Sequence, residues 1–462
     1  MIIISFIFFL LLFVVIGVVS SFKSRGSSQD YLLASRSVSP LFVALSAVAT
    51  INSGYMFIGM VGYTYLFGLS SIWLMFGWVF GDFLSSLIVH RKIRVLSQKR
   101  KILSFAGLIS NWHGDNFKYA RIIAGLIIIL FLGTYAAAQL KAGSKALHVI
   151  FGWDYSYGAI IGSLIVLTYC FSGGIRASIW TDVAQSFVMI AAMIIILISS
   201  LINYGGIGNI INDLSNISPS YMKLITEDIN QPFFFSSFLF IIGWIYSGFG
   251  VAGQPHIMVR FMTMKKSKNI KIIRLYYYGF YSLFFLLTIA TALSARLIFN
   301  SESNFDAELA LPMMAQKFLP EFLIGLVLAG LFAATMSTAD SQILSCSAVL
   351  TNDLIEIKKH KYLITKIATL ITTIIALLIS LFASGNVFNL VLIAWSVLGA
   401  VFAPILTLYA LNKKIPQNLL IVMMISALLS VLLWRKLGFN SDFNEIAFGM
   451  MISFVIYFIF KK

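Results

Sequence analysis

The chain has 462 residues, 60% of them hydrophobic and only 11% charged, with a formal net charge of +16 and a mean hydropathy of +0.93. A water-soluble domain carries about 25% charged residues, so this composition excludes an ordinary globular protein and makes lipid the natural solvent. The basic excess falls in short clusters between apolar runs, which is a signature of membrane topology and not of a nucleic-acid surface.

A spanning helix needs about 20 mostly apolar residues. The first run, 1–22, is followed by Lys23 and Arg25 rather than preceded by positive charge. That is the reverse of a cleavable signal, so it reads as a retained helix with its N-terminus outside. Next comes 40–65, interrupted by Asn52, Ser53, Gly54, Gly59 and Gly62. The runs 68–90 (with Asp82), 120–148 (with Lys141), 156–173 and 178–203 (with Asp182) follow. The seventh, 232–258, is interrupted by Gly243, Gly248, Gly250, Gly253 and Pro255. Then come 274–299; the long 321–355, which runs on into the cytoplasm; and 362–384, 387–411, 417–436 and 444–460. Between them, 204–231 and 300–320 hold most of the loop acids (Asp213, Glu227, Asp228, Glu302, Asp306 and Glu308) and are expected to form short helices outside. The two cysteines, Cys170 and Cys346, lie inside spans, and neither a disulfide framework nor a metal-ligand spacing is present.

The basic residues test this thirteen-span count. With the N-terminus outside, 26 of the 33 Lys and Arg fall on cytoplasmic segments, among them Arg91 to Lys101, Arg260 to Arg274 and Lys358 to Lys366. Six fall outside and Lys141 is left within the membrane. That asymmetry follows the positive-inside rule, and one span more or fewer near the middle would destroy it. The C-terminus is then cytoplasmic.

The two interrupted spans lie five spans apart. Unwound backbone is tolerated in a bilayer only where it lines a cavity or is buried in protein, and paired broken helices point to an inverted-repeat transporter with its site near the midplane. The expected division is an extra helix at 1–22, a first repeat at 40–203, a second at 232–411 and two further helices at 417–462.

Residues 333–342 read AATMSTADSQ. On one helix Ala334 and Thr338 are i, i+4, as are Ser337 and Ser341, and Ser337 and Asp340 are i, i+3, so all can face one side. Hydroxyls joined to carbonyls freed at the break near Ala49 to Ser53 make a hard-oxygen cage that suits a small hard cation such as Na+. Serine and threonine in membrane helices also bond their own helix carbonyls. Ionisable groups within a bilayer are costly and mark function. By that criterion Asp340 lines a polar cavity, and Asp182 is a functional acid or an interfacial one near the cytoplasmic end. Asp82 has a structural reading, bonded to neighbouring hydroxyls, with no role favoured, and His256 is a structural histidine or a proton relay. Lys141 has three readings: it snorkels outward, neutralises an acid, or meets a substrate carboxylate.

These residues carry a resemblance. LSAVATINSG (45–54), YAAAQLKAG (135–143), WTDVAQ (180–185), GQPHIMVRFM (253–262) and AATMSTADSQILSCSAVLTNDL (333–354) resemble the sodium/solute symporter family, and within it the bacterial sodium/proline symporters, over nearly the whole chain. The resemblance implies an all-α polytopic membrane protein with an inverted five-plus-five LeuT-type core, one extra helix before it and two after. It implies sodium bound by backbone carbonyls at Ala49 and Asn52, a third carbonyl at Ala334, and the hydroxyls of Ser337 and Thr338. It implies a second ion site at Asp182, Asp340 and Ser341, with an acid at Asp340 where the sialic-acid members carry serine. Tyr135 matches an aromatic near solute and ion. The candidate solute-contacting set is Ser53, Gly54, Tyr135, Gln139, Lys141, Ser247, Val251 and Gln254. Ile51, Ser247 and Val251 depart from the proline symporters, which carry Asp, Trp and Tyr at those places.

The function these features imply is sodium-coupled import of a small organic solute, an amino acid such as proline. The alternatives are proton coupling on the same fold, or another carboxylate such as pantothenate or a sialic acid. The solute's acid group is expected near the amides around Ser53 and Gly54, since half-helix N-termini favour anions. No convergent acid, base or nucleophile set suggests an enzyme. The expected setting is the bacterial inner membrane, with lipid as the surrounding partner, no nucleic acid, and a mechanism that needs only one chain.

Overall fold

The computed structural model describes residues 1–225, 233–299, 305–355, 360–382, 387–439 and 443–461, without the side chains of 233–237 and 387–388. Glu227, Asp228, Glu302, Lys358 and Lys462 lie outside the described residues. The described residues are predominantly helical, and the β structure among them is one isolated bridge between Val38 and Met264.

In order the helices are α1 (Ile2–Ser21), α2 (Pro40–Ile51), α3 (Met60–Phe67), α4 (Ile72–Ile88), α5 (His90–Lys99), α6 (Phe105–Ser110), α7 (Lys118–Phe151) and α8 (Tyr155–Asn203). They continue with α9 (Phe233–Phe249), α10 (Pro255–Met262), α11 (Ile270–Ile298), α12 (Glu321–Val349), α13 (Lys361–Phe382), α14 (Val387–Ala410), α15 (Gln417–Lys436) and α16 (Glu445–Phe460). Short helices at Ile207–Ser215 and Ala310–Phe318 occupy the two acid-bearing connections, as expected.

Among the described residues the helices make thirteen crossings once two features are resolved. At 1.5 Å per residue the 49 residues of α8 are about 73 Å long, more than twice the hydrocarbon core of roughly 30 Å, so α8 is two spans. It bends at Gly174, whose φ of 58° and ψ of −141° are non-helical and open to glycine alone. A Cβ there would stand 2.3 Å from the Tyr31 carbonyl oxygen. This is the joint predicted between 173 and 178. The second feature is that two spans are broken. α2 starts with Pro40 at its first turn, where the missing N–H costs nothing, and ends at Asn52, which leaves helical geometry with ψ at 37°. A π turn at Tyr55–Gly59 then restarts the span as α3. The other break runs through Gly250–Gly253 and Gln254, and α9 and α10 meet across it at 55°.

α12 is the central post. From Val327 to Val349 every residue is buried, and its neighbours include α8, α7, α1, α13, α2 and α10. α12 carries small and hydroxyl residues all round, which lets its neighbours approach closely.

Candidate functional site

α2 runs out in the middle of the protein, and its last carbonyls need partners. The Val48 carbonyl accepts from the Asn52 amide. The next two are met from α12. Ser337 Oγ lies 3.0 Å from the Ala49 carbonyl oxygen, and Thr338 Oγ1 lies 2.9 Å from that of Thr50. Each hydroxyl also lies 3.1 Å from the Ala334 carbonyl of its own helix. All five residues are fully buried. Ala49, Ala334, Ser337 and Thr338 are therefore brought together. Thr50 joins them through its carbonyl, which the sequence reading did not include. Asn52 ends α2 a few residues away, and its fully buried side-chain amide makes no hydrogen bond among the described residues. Five neutral oxygens from two helices form a donor set fit for a hard monovalent cation. Among the described residues no group of three or more His, Cys, Asp or Glu gathers anywhere.

One turn further along α12 lies a cluster of charges. The guanidinium of Arg260, on α10, stands 3.3 Å from Asp182 Oδ2 and 3.5 Å from Asp340 Oδ1, and also contacts the hydroxyls of Ser178 and Ser341. Ser46 donates to Asp182 at 2.6 Å, while Tyr169 and Ser178 each donate to Asp340 at 2.9 Å. Arg260 is 1% exposed and both acids 0%, so these charges are met by one another and by the hydroxyls around them and not by water. Isolated charges in such a place would each cost several kcal/mol. The three residues predicted for a second ion site, Asp182, Asp340 and Ser341, are thus gathered at one point, around an arginine already there.

The sequence reading missed Arg260 because it closed the seventh span at 258 and counted Arg260 among the cytoplasmic loop charges. α10 in fact runs on to Met262. The signal was present: Arg260 is the lone charge in the apolar run Ile257 to Met262, directly after a helix break.

The predicted solute-contacting residues divide into three places. Ser53, Gly54, Tyr135 and Gln139 meet at the α2 break. The Gly54 amide donates to Gln139 Oε1 at 2.8 Å, and the hydroxyls of Ser53 and Tyr135 are 3.5 Å apart. The Gly54 amide, expected to face a solute carboxylate, is therefore taken by Gln139 in this conformation. Ser247, Val251 and Gln254 lie at the other break and face α14 and α16. Ser247 Oγ accepts from Asn444 at 2.9 Å, and Gln254 donates to the Trp395 carbonyl at 3.0 Å. Buried aromatic rings join these two places. Tyr55 packs on Trp78, and Trp78 on Trp244 and Trp395, with centroids 5.2 to 5.4 Å apart. The sequence reading did not single out these tryptophans, since a tryptophan in an apolar run looks like packing. Lys141 stands apart. It is two residues from Gln139 and so on another face of α7, beside Lys145 and Glu308. Lys145 itself pairs with Glu308 and, at 3.5 Å, with Asp306.

Asp82 is buried on α4, with His90 Nε2 at 3.9 Å and the Ser85 hydroxyl at 3.5 Å. His256 is buried beside Tyr135, ring to ring at 5.6 Å. Both ring nitrogens of His256 lack a hydrogen-bond partner among the described residues.

Thirteen crossings, two broken helices five spans apart and an oxygen cage between the first break and a late helix define a LeuT-fold secondary transporter of the membrane. The fold is shared with a Na+-coupled sialic acid symporter in a substrate-bound outward-open state (TM-score 0.83, 18% identity, 99% of this chain and 95% of that one). It is shared more distantly with the transporter MhsT in complex with L-phenylalanine (TM-score 0.60, 14% identity, 91% and 98%). The chain belongs to the sodium:solute symporter family, whose model matches residues 31–432. It is 30% identical to a sodium/proline symporter of Staphylococcus aureus over 478 aligned positions, covering 99% of this chain and 91% of that protein.

Proposed function

We propose that this protein is a sodium-driven symporter that imports a small zwitterionic or carboxylate solute, an amino acid such as proline, across a bacterial inner membrane. The observation that carries the reading is the meeting of Ser337 and Thr338 with the carbonyls of Ala49 and Thr50 at a helix break. Sodium binds there, with the Ala334 carbonyl and the chain at Asn52 completing the set. The cation draws α2 and α12 together, and solute affinity then depends on whether that contact is made, because a ligand shifts a two-state equilibrium only by its differential affinity. Alternating access follows as a four-helix bundle containing both broken spans rocks against the remaining scaffold. The two repeats are 40–203 and 232–411, with 1–22 and 417–462 outside them. The N-terminus faces outward and the C-terminus the cytoplasm, on the strength of the basic clusters.

The solute lies between the two breaks, near Ser53, Gly54, Tyr135 and Gln139 on one side and Ser247, Val251 and Gln254 on the other, with the tryptophans beneath. Gln139 gives up the Gly54 amide to the solute's carboxylate on opening. Lys141 acts at the outer mouth and not in the pocket. At the second ion position the Arg260 guanidinium supplies the positive charge, so one sodium accompanies each solute.

The test is uptake into proteoliposomes of labelled proline, other amino acids, pantothenate and sialic acid, with and without an inward sodium gradient. A single solute accumulated only with sodium, with a Hill coefficient near one, is expected. Accumulation driven by a pH gradient in sodium-free buffer would overturn the sodium reading in favour of proton coupling.

A further inference from the structure

A cavity of about 190 Å³ opens where the end of α12 meets the starts of α7 and α13, away from both breaks. Four cations line it: Arg100, Lys101, Arg121 and Lys361. Among the described residues its one acid is Asp353, 6% exposed, whose Oδ1 accepts from Ser104 at 2.8 Å and whose Oδ2 has no hydrogen-bond partner there. Arg100 donates one bond, to the His113 carbonyl at 2.8 Å, and the buried Nε of Arg121 has no acceptor among the described residues. Among the described residues four positive charges face one negative, an excess that favours an anion. The starts of α7 and α13 bring the positive ends of their helix dipoles to the same place.

We propose that this cavity binds a phosphate group, that of an anionic phospholipid head. The cavity is too polar for an acyl chain. Its surroundings favour a lipid source over the free ion. α5 runs up to it with Arg91 and Lys99 exposed and with Val95 between them 46% exposed, a basic and apolar pairing that suits an interfacial helix. The cavity lies on the side that carries the basic clusters, and basic pockets between spans on the cytoplasmic side are where anionic head groups dock. The site is independent of the sodium cage, so failure of one reading leaves the other standing.

The experiment uses the full chain purified in neutral detergent and titrated with short-chain phosphatidylglycerol, short-chain phosphatidylcholine or inorganic phosphate, with melting temperature as readout. Phosphatidylglycerol should raise the melting temperature saturably and phosphatidylcholine should not. Each of Arg121→Gln, Lys361→Gln and the surface change Lys101→Gln should weaken the titration roughly fivefold, as about 1 kcal/mol per basic residue implies. Phosphate acting at the same concentration as phosphatidylglycerol would keep the anion site and overturn the lipid source. No shift with either, or a shift untouched by all three substitutions, would overturn the proposal.

Discussion

The sharpest consequence of the oxygen cage concerns Ser337 and Thr338. A hydrogen bond or ligand contact to a charged group contributes about 1.5–3 kcal/mol. Part of that is offset here, because each hydroxyl already has a carbonyl to donate to, Ala49 at 3.0 Å or Thr50 at 2.9 Å, worth about 1 kcal/mol. The net loss on removing one hydroxyl is then about 0.5–2 kcal/mol, which raises the half-saturating sodium concentration roughly 2- to 30-fold. Ser337→Ala and Thr338→Val are the variants, the second preserving β-branched packing on a helix buried on every side. Both hydroxyls lean on the Ala334 carbonyl at 3.1 Å, so their effects should not simply add. The assay is initial-rate uptake into proteoliposomes at fixed solute across a sodium series. A double variant whose sodium dependence matches the unmodified protein would refute the cage.

Three further outcomes follow from other parts of the fold. Arg260→Gln leaves Asp182 and Asp340 buried without a counter-charge and should cost about 3–5 kcal/mol; it should appear as a lowered melting temperature that Asp340→Asn partly restores. Gly54→Ala puts a Cβ 2.8 Å from Thr335 Cγ2 and 2.9 Å from Ala142 Cβ. Overpacking of that kind costs about 1–3 kcal/mol, and slowed uptake should recover in part when Thr335→Ser removes the nearer methyl. Asp30, in the connection between α1 and α2, is held below the ordinary carboxyl value of 3.8: burial opposes ionisation, but bonds from Ser35, the Arg25 amide and Arg176 outweigh it. A depressed value stabilises the fold above the unfolded value and the benefit fades as the pH falls through the folded one. The melting-temperature gap between the unmodified protein and Asp30→Asn should therefore be full at neutral pH and close in acid below 3.8.

Much of the architecture was legible because lipid leaves few choices. Span length is set by bilayer thickness, and a break inside a span is so costly that Asn52 to Gly54 and Gly250 to Pro255 stood out from sequence alone. The cage was half legible. Hydroxyls at i and i+1 with a carbonyl one turn earlier form a local pattern, but Thr50 entered only because α2 stops where it does. Helix ends are the least readable feature, and four residues of error at α10 turned Arg260 from a buried partner of two acids into an ordinary loop charge. Lys141 shows the opposite lesson. Its two-residue offset from Gln139 already put it on another face of α7. The Gly54–Gln139 bond joins residues 85 apart in sequence, and no local pattern announces it.

The cage and the charge cluster are not separate devices, because Thr50 and Ser341 belong to both. The Thr50 carbonyl faces Thr338, while its hydroxyl stands 3.1 Å from the hydroxyl of Ser341. Ser341 in turn lies 2.6 Å from the Ser337 carbonyl and touches Arg260. A movement of α2 that opens the cage must therefore disturb the contacts around Arg260, which α10 carries just past the second break. Both broken spans are thus tied to the same two turns of α12, one by neutral oxygens and one by charge. A small cation can shift only the first tie directly. On the proposed sodium reading, the shared residues would convert that shift into a change at the second, a physical route by which an ion bound at one break would bias the position of the other.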